Sequence, residues 1–188
     1  MLSLLNTIIE HNQDFVETKE YEQFRTTKFP DKKMVIVTCM DARLTELLPK
    51  AMNLRNGDAK IIKNAGAIVS HPFGSVMRSI IVAVYELGAE EVFVVGHHEC
   101  GMTGLNPQSV LEKAKSRGVS EDVIATLGNA GVNLDNFLTG FQFVHDGVVR
   151  SVDLIRKHPL LPNNLPVHGL LIHPETGRLD IIDNGYKS

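Results

Sequence analysis

The sequence predicts an α/β fold: a single domain spanning residues 1–188, with a mainly parallel central sheet flanked by helices, an antiparallel C-terminal edge strand and a helical N-terminal arm. Three observations carry this reading. Short runs rich in β-branched residues alternate with segments at helical spacing, the pattern of strand–helix–strand units. The length of 188 residues suits one such domain and leaves little room for a second. A Thr176-Gly177 turn near the end joins two further runs as a hairpin.

Each element follows from its local pattern. Residues 1–30 form the arm, where Leu4, Leu5, Ile8, Ile9, Phe15 and Tyr21 recur at helical spacing outside the main core, as expected of a segment that packs on a partner. Residues 34–38 (MVIVT) read as a buried strand, and a helix follows from Thr45. Residues 60–62 form a second strand that ends in Asn64-Ala65-Gly66. Residues 74–87 are long enough for a helix, with Gly88 in the stop position that glycine favours. Residues 91–95 form a third strand ending at Gly96, and residues 101–132 mix short helices with loops. Residues 133–158 read as one long helical segment through Leu134, Phe137, Leu138, Phe141, Val148, Val152 and Ile155, closed by Pro159. Residues 167–172 and 179–182 are the last strands, paired through the turn at 173–178.

Composition excludes several classes. With 19 basic and 22 acidic residues the net charge is −3, and the basic stretches near 31–33 and 113–117 are short enough to be solvated faces, so no nucleic acid is expected as a partner. The first fifteen residues lack a basic start, and Glu10 and His11 interrupt their apolar run, so they read as neither a signal peptide nor a span. The longest apolar run elsewhere, residues 80–85, is far too short to cross a bilayer. No membrane association and a cytoplasmic location are therefore expected. Nucleotide-binding glycine signatures are missing.

The chemistry sits in two motifs. The two cysteines are Cys39 and Cys100. A lone disulfide is uncommon in a cytosolic chain, and two buried free thiols are the plainer alternative to a metal or catalytic role. Cys39-Met40-Asp41-Ala42-Arg43 follows the first strand, and His97-His98-Glu99-Cys100 follows the third. In parallel sheets ligands gather beyond the carboxyl ends of the strands, so both motifs fall on one rim. Two thiolates and an imidazole suit zinc, and three protein ligands leave a fourth position open, as catalytic sites do. Asp41 and Arg43, two residues apart, point the same way if their segment is extended, and Arg presents a rigid fork to a carboxylate.

The ordered set 37–43, Lys63-Asn64-Ala65-Gly66 and 95–101 resembles the β-class carbonic anhydrases, as does the closing 167–171 and Thr176-Gly177 stretch. The likeness is greatest to the compact microbial branch. It implies a zinc lyase that reversibly hydrates carbon dioxide to bicarbonate and a proton through zinc-bound hydroxide, with zinc on Cys39, His97 and Cys100. It implies that Asp41, held by Arg43, accepts the metal water's hydrogen bond, or becomes a conditional fourth ligand when released. It further implies that Asn64, Ala65 and Gly66 wall the substrate pocket, and that the unit is a homodimer or higher oligomer with active sites near the interface. His71 and His98 are the nearby candidates for carrying protons to buffer. Two thiolates cancel the formal charge of the ion, so activity is expected to rise towards alkaline pH. Ala42, where serine is common, Lys63, where arginine is common, and the lack of a glutamine near 28–31 depart from the family. Two alternatives share the scaffold: a hydrolase of carbon disulfide or carbonyl sulfide, and a zinc-binding protein without catalysis.

Overall fold

The structure is a computed structural model and describes residues 3–186. Five strands form one sheet: β1 (Met34–Cys39), β2 (Ala59–Asn64), β3 (Glu91–His97), β4 (Val167–Ile172) and β5 (Leu179–Asp183). Their order is β2-β1-β3-β4-β5, with the first four parallel and β5 antiparallel to β4. Seven helices surround it among the described residues: α1 (Leu4–Glu17), α2 (Leu44–Ala51), α3 (Ser75–Tyr85), α4 (Pro107–Ser116), α5 (Glu121–Asn129), α6 (Leu134–Leu138) and α7 (Val144–Arg156).

Alternation along the strands divides the core in two. Val35 and Val37 of β1, with Val92 and Val94 of β3, face α3 and α7, where Met77, Ile80, Val148, Val152 and Ile155 meet them. Met34 and Ile36, one residue out of phase, face Leu44 and Leu48 of α2 instead. All six strand positions of β1 are buried, which explains a continuous apolar run rather than an alternating one. Full burial of each such side chain contributes about 1.5–3 kcal/mol, so these two layers fix the strand order.

The chain leaves β1 on one side to form β2, then returns on the other side of β1 as β3. The order therefore reverses between β1 and β3, and the crevice beyond their carboxyl ends is where such sheets hold ligands. Cys39 is the last residue of β1 and His97 the last of β3.

Residues 133–158 are not one helix. The chain breaks between α6 and α7, where Phe141 turns inward to 6% exposure. There Phe141 N–H donates to the Met102 carbonyl at 3.2 Å and Gly104 N–H to the Phe141 carbonyl at 2.9 Å. Pairing with the segment after Cys100 satisfies these backbone groups better than a continued helix would. The arm does contain a helix, α1, begun by Ser3, whose hydroxyl accepts from Asn6 N–H at 3.2 Å. A short 3-10 turn at Glu20–Phe24 follows, and none of the α1 side chains is buried. The helix after residue 74 ends at Tyr85, with Glu86 as its cap, so Gly88 lies beyond the stop position expected of it.

Gly96 is where α7 crosses closest to β3. A Cβ there would lie 2.8 Å from Val148, 3.0 Å from Leu171 and 3.1 Å from Val144. Gly96→Ala is accordingly expected to cost about 1–3 kcal/mol through overpacking. Urea denaturation read by circular dichroism checks this: an unchanged midpoint would mean that the helix is free to move off the strand.

Candidate metal centre

The parallel register of β1 and β3 brings the two motifs side by side. The Sγ atoms of Cys39 and Cys100 are 3.9 Å apart, and a His97 ring nitrogen joins them in a group whose atoms all lie within 4.8 Å of one another. All three residues are buried, at 5%, 4% and 0% exposure. Both cysteines are free. A disulfide needs sulfurs about 2.05 Å apart. Two thiolates about 2.3 Å from one tetrahedral ion sit about 3.8 Å apart, close to the 3.9 Å found.

The histidine is set for ligation. His97 Nδ1 donates to the His98 carbonyl oxygen at 2.7 Å. A carbonyl cannot donate, so Nδ1 carries a proton and Nε2 is the ring nitrogen left to bind a metal. That Nε2 is buried and has no hydrogen-bond partner. An orphaned acceptor between two sulfurs is a costly arrangement unless a cation fills the gap. The donor set therefore fits zinc, and Cys39, His97 and Cys100 are the residues that would hold it.

Electrostatics agree. The contact between the two sulfurs, with Cys100 keeping the proton, holds Cys39 well below the usual thiol range against the opposing effect of burial. Amides of Gly66 and Asp41 add to the stabilisation of the Cys39 thiolate. The same contact pushes Cys100 up, because two adjacent thiolates without a cation repel. Burial draws His97 down, but the Cys39 sulfur and the His98 carbonyl outweigh it, and the net direction is up.

His97 and Cys100 are three residues apart but do not share a helical turn. His97 ends β3, and Glu99 between them adopts a left-handed φ of 56°. A non-glycine residue in that region stores strain, of order 1–3 kcal/mol, at the point where the second sulfur is aimed.

Asp41 and Arg43 meet, but not across an extended segment. Arg43 is in the right-handed helical region at φ −62°, just before α2. Its own N–H donates to Asp41 Oδ1 at 2.9 Å, closing an Asx turn, while Nε donates to Oδ1 at 3.1 Å and an Nη to Oδ2 at 2.9 Å. Arg43 side-chain hydrogen bonds, partly offset by burial, hold the Asp41 carboxyl down to about 2. Asp41 Oδ2 is 3.7 Å from His97 Nε2, beside the place a metal would take.

Asn64 is the last residue of β2, and Ala65 and Gly66 follow it. Asn64 lies opposite Cys39 in the sheet, and its side chain donates to the Ile68 carbonyl at 2.7 Å and accepts from Ile68 N–H at 3.1 Å. Gly66 takes φ 77°, and a Cβ there would meet Met102 at 2.9 Å and Phe141 at 3.0 Å. Lys63 faces away, donating to Thr45 at 3.0 Å.

A family model described as carbonic anhydrase matches residues 34–179. The chain belongs to the β-carbonic anhydrase family. Relatives include the protein named "Putative carbonic anhydrase YvdA" of Bacillus subtilis, 66% identical over 184 residues, covering 98% of this chain and 93% of the relative. A carbon disulfide hydrolase of Acidithiobacillus thiooxidans is 28% identical over 177 residues, covering 88% and 85%. The crystal structure of β-carbonic anhydrase isoform I of Trichomonas vaginalis superposes with a TM-score of 0.90 at 35% identity, covering 98% of this chain and 100% of that one. The β-carbonic anhydrase fold thus accounts for the sheet order, the antiparallel edge strand and the N-terminal helix.

Several neighbours of the site had no role in the sequence reading. Glu99 accepts from Arg43 at 3.3 Å, an acid beside a ligand cysteine that its charge could have flagged. Ser151 of α7 accepts from Val69 N–H at 3.1 Å and donates to the Ala67 carbonyl at 3.4 Å, bracing the loop after Gly66. Nothing local in the sequence marks it. Of the two proton-carrier candidates, His71 Nδ1 accepts from Phe73 N–H at 3.0 Å. His98 abuts the site, with its Nε2 3.8 Å from Asp180 and its ring against His173.

Arg43→Ala is expected to raise the Asp41 carboxyl from about 2 towards its ordinary value near 3.8, short of it because the residue-43 N–H still donates to Oδ1 and His97 stays close. Carboxyl-carbon NMR titration reads this directly. The sign follows: a depressed acid stabilises the folded state above its unfolded pKa, and that share is lost as pH falls towards 2. An unmoved Asp41 titration in the variant would remove Arg43 as the cause.

Proposed function

We propose that the chain binds one zinc ion through Cys39, His97 and Cys100 and catalyses the reversible hydration of carbon dioxide to bicarbonate and a proton. The observation that carries this is three buried ligand atoms within 4.8 Å of one another, at the rim where the sheet order reverses, with a clamped carboxylate alongside. Bound zinc supplies a Lewis acid that makes water a nucleophile near neutral pH.

The chain's own residues supply the rest. Asp41 is ionised throughout the physiological range, so it acts as a hydrogen-bond acceptor and orients the attacking water. Arg43 engages both Asp41 oxygens, which keeps the carboxylate beside the ligand group instead of in it. Asp41 becomes a fourth ligand only if this fork lets go. Asn64, Ala65 and Gly66 form one wall of the pocket, pressed from behind by Met102 and Phe141.

We assign the whole chain to one domain in the cytoplasm, where both thiols stay reduced. We further infer a homodimer. Leu4, Leu5, Ile8 and Ile9 of α1 are 77%, 66%, 54% and 48% exposed, an apolar stripe that a second copy would cover. Leu5→Glu with Ile9→Glu is expected to halve the mass measured by light scattering; an unchanged mass places the interface elsewhere.

Carbon disulfide hydrolysis is the second reading, supported by the relative of that name at 28% identity. Stopped-flow hydration across pH, with zinc measured on the same sample, tests the first. Activity should rise towards alkaline pH, since two thiolates offset the metal charge. Asp41→Ala should keep one zinc per chain yet lose about 10²-fold or more in kcat/KM. Full activity in that variant removes Asp41 from catalysis. Hydrogen sulfide release from carbon disulfide, with no carbon dioxide hydration, would transfer the assignment to the hydrolase.

A further inference from the structure

A cavity lies away from the metal ligands. It has a volume of about 600 Å³ and opens between the 68–70 loop, α6 and the outer flank of α7. Neither cysteine, nor His97, nor Asp41 lines it. Its apolar part is made by Ile68, Val69, Phe141 and Leu154. Pockets of this size, mostly apolar with a few placed polar groups, are the usual form of small-molecule sites.

The polar groups have one character. Ser70, Asn136 and Arg150 line the same cavity, and among the described residues none of their side chains forms a hydrogen bond or ion pair within the chain. Lys157 and Asp153 also line it, but they satisfy each other at 2.9 Å and leave no net charge. Arg150 therefore gives the mouth a net positive charge, with two uncommitted donors beside it. A guanidinium with free N–H groups pairs best with a carboxylate or phosphate.

We propose that this cavity binds a small organic anion, one carboxylate or phosphate head on an apolar body. The head meets Arg150, Ser70 and Asn136, and the body lies against Ile68, Val69, Phe141 and Leu154. The site stands independently of the metal reading, because no ligand residue contributes to it. It nevertheless shares a wall with the metal centre. Val69 is tied through Ser151 to Ala67, and Phe141 packs on Gly66.

The test uses the full chain in zinc-loaded and zinc-stripped forms, with calorimetric titration of benzoate, phenyl phosphate, inorganic phosphate and benzyl alcohol. Benzoate or phenyl phosphate should bind once per chain. Benzyl alcohol, lacking the charge, and inorganic phosphate, lacking the body, should each bind at least tenfold more weakly. Benzoate against phenyl phosphate tells which head the site prefers. Arg150→Ala and Ser70→Glu both change exposed residues, and each should weaken the better probe at least tenfold. Both variants should keep their carbon dioxide hydration in the absence of probe. Zinc removal should leave the affinity unchanged. Binding that survives both substitutions, binding that disappears with the zinc, or no binding of either organic anion at millimolar concentration would each overturn the proposal. Hydration activity is read separately, so failure here and failure of the metal reading are distinguishable.

Discussion

The structure turns on two sulfurs and one imidazole nitrogen forced together in a buried crevice. Each is expensive to bury alone: a thiolate loses its solvation, and a bare imidazole nitrogen loses a hydrogen bond. Together, without a cation, the two sulfurs share one proton between them, which is why Cys39 is driven down while Cys100 is driven up. A divalent ion removes the need to share by accepting all three lone pairs. The fold thus gathers three ligand atoms whose mutual strain a bound cation would relieve.

Topology creates that proximity. β1 and β3 are parallel neighbours, yet the chain between them builds β2 and α3, so residues far apart in sequence finish on the same rim. The wall beside them is held more firmly than a loop usually is. Asn64 bonds across the turn in both directions, Ser151 clamps it from α7, and Gly66 allows Met102 and Phe141 to come against its backbone. Such bracing fixes ligand direction, and metal sites depend on direction as much as on donor identity.

Much of this was legible in the sequence because the signals are local. Five short strand-like runs, a Thr-Gly turn and two motifs at strand ends define the sheet and the rim from short-range pattern alone. What was not legible depended on contacts between distant segments. The break after Leu138 could not be read from helical spacing, since Leu134, Phe137, Leu138 and Phe141 keep that spacing across it. The break exists because Phe141 pairs with the Met102–Gly104 segment. Ser151 and Met102 are equally silent in sequence, since a serine in a helix and a methionine after a glycine carry no marker of what they will touch. The orientation of His97 rests on the His98 carbonyl, a backbone group that no residue type discloses.

The Asp41–Arg43 pair shows how a local contact acquires a distant purpose. As an exposed ion pair it would be worth about 0–1 kcal/mol, too little to matter for stability. Its geometry comes from the turn itself, since Arg43 N–H and the guanidinium both reach Asp41 over two residues. The same local turn on another surface would be inert. Here β1 ends at Cys39, so the turn delivers the carboxylate to within 3.7 Å of His97 Nε2. Glu99 draws on the same guanidinium from the other motif at 3.3 Å. Arg43 therefore links the two strand ends that carry the ligands, and a shift of either end would change how firmly Asp41 is held. The short motif sets the pair's geometry, and the sheet sets what that geometry is for.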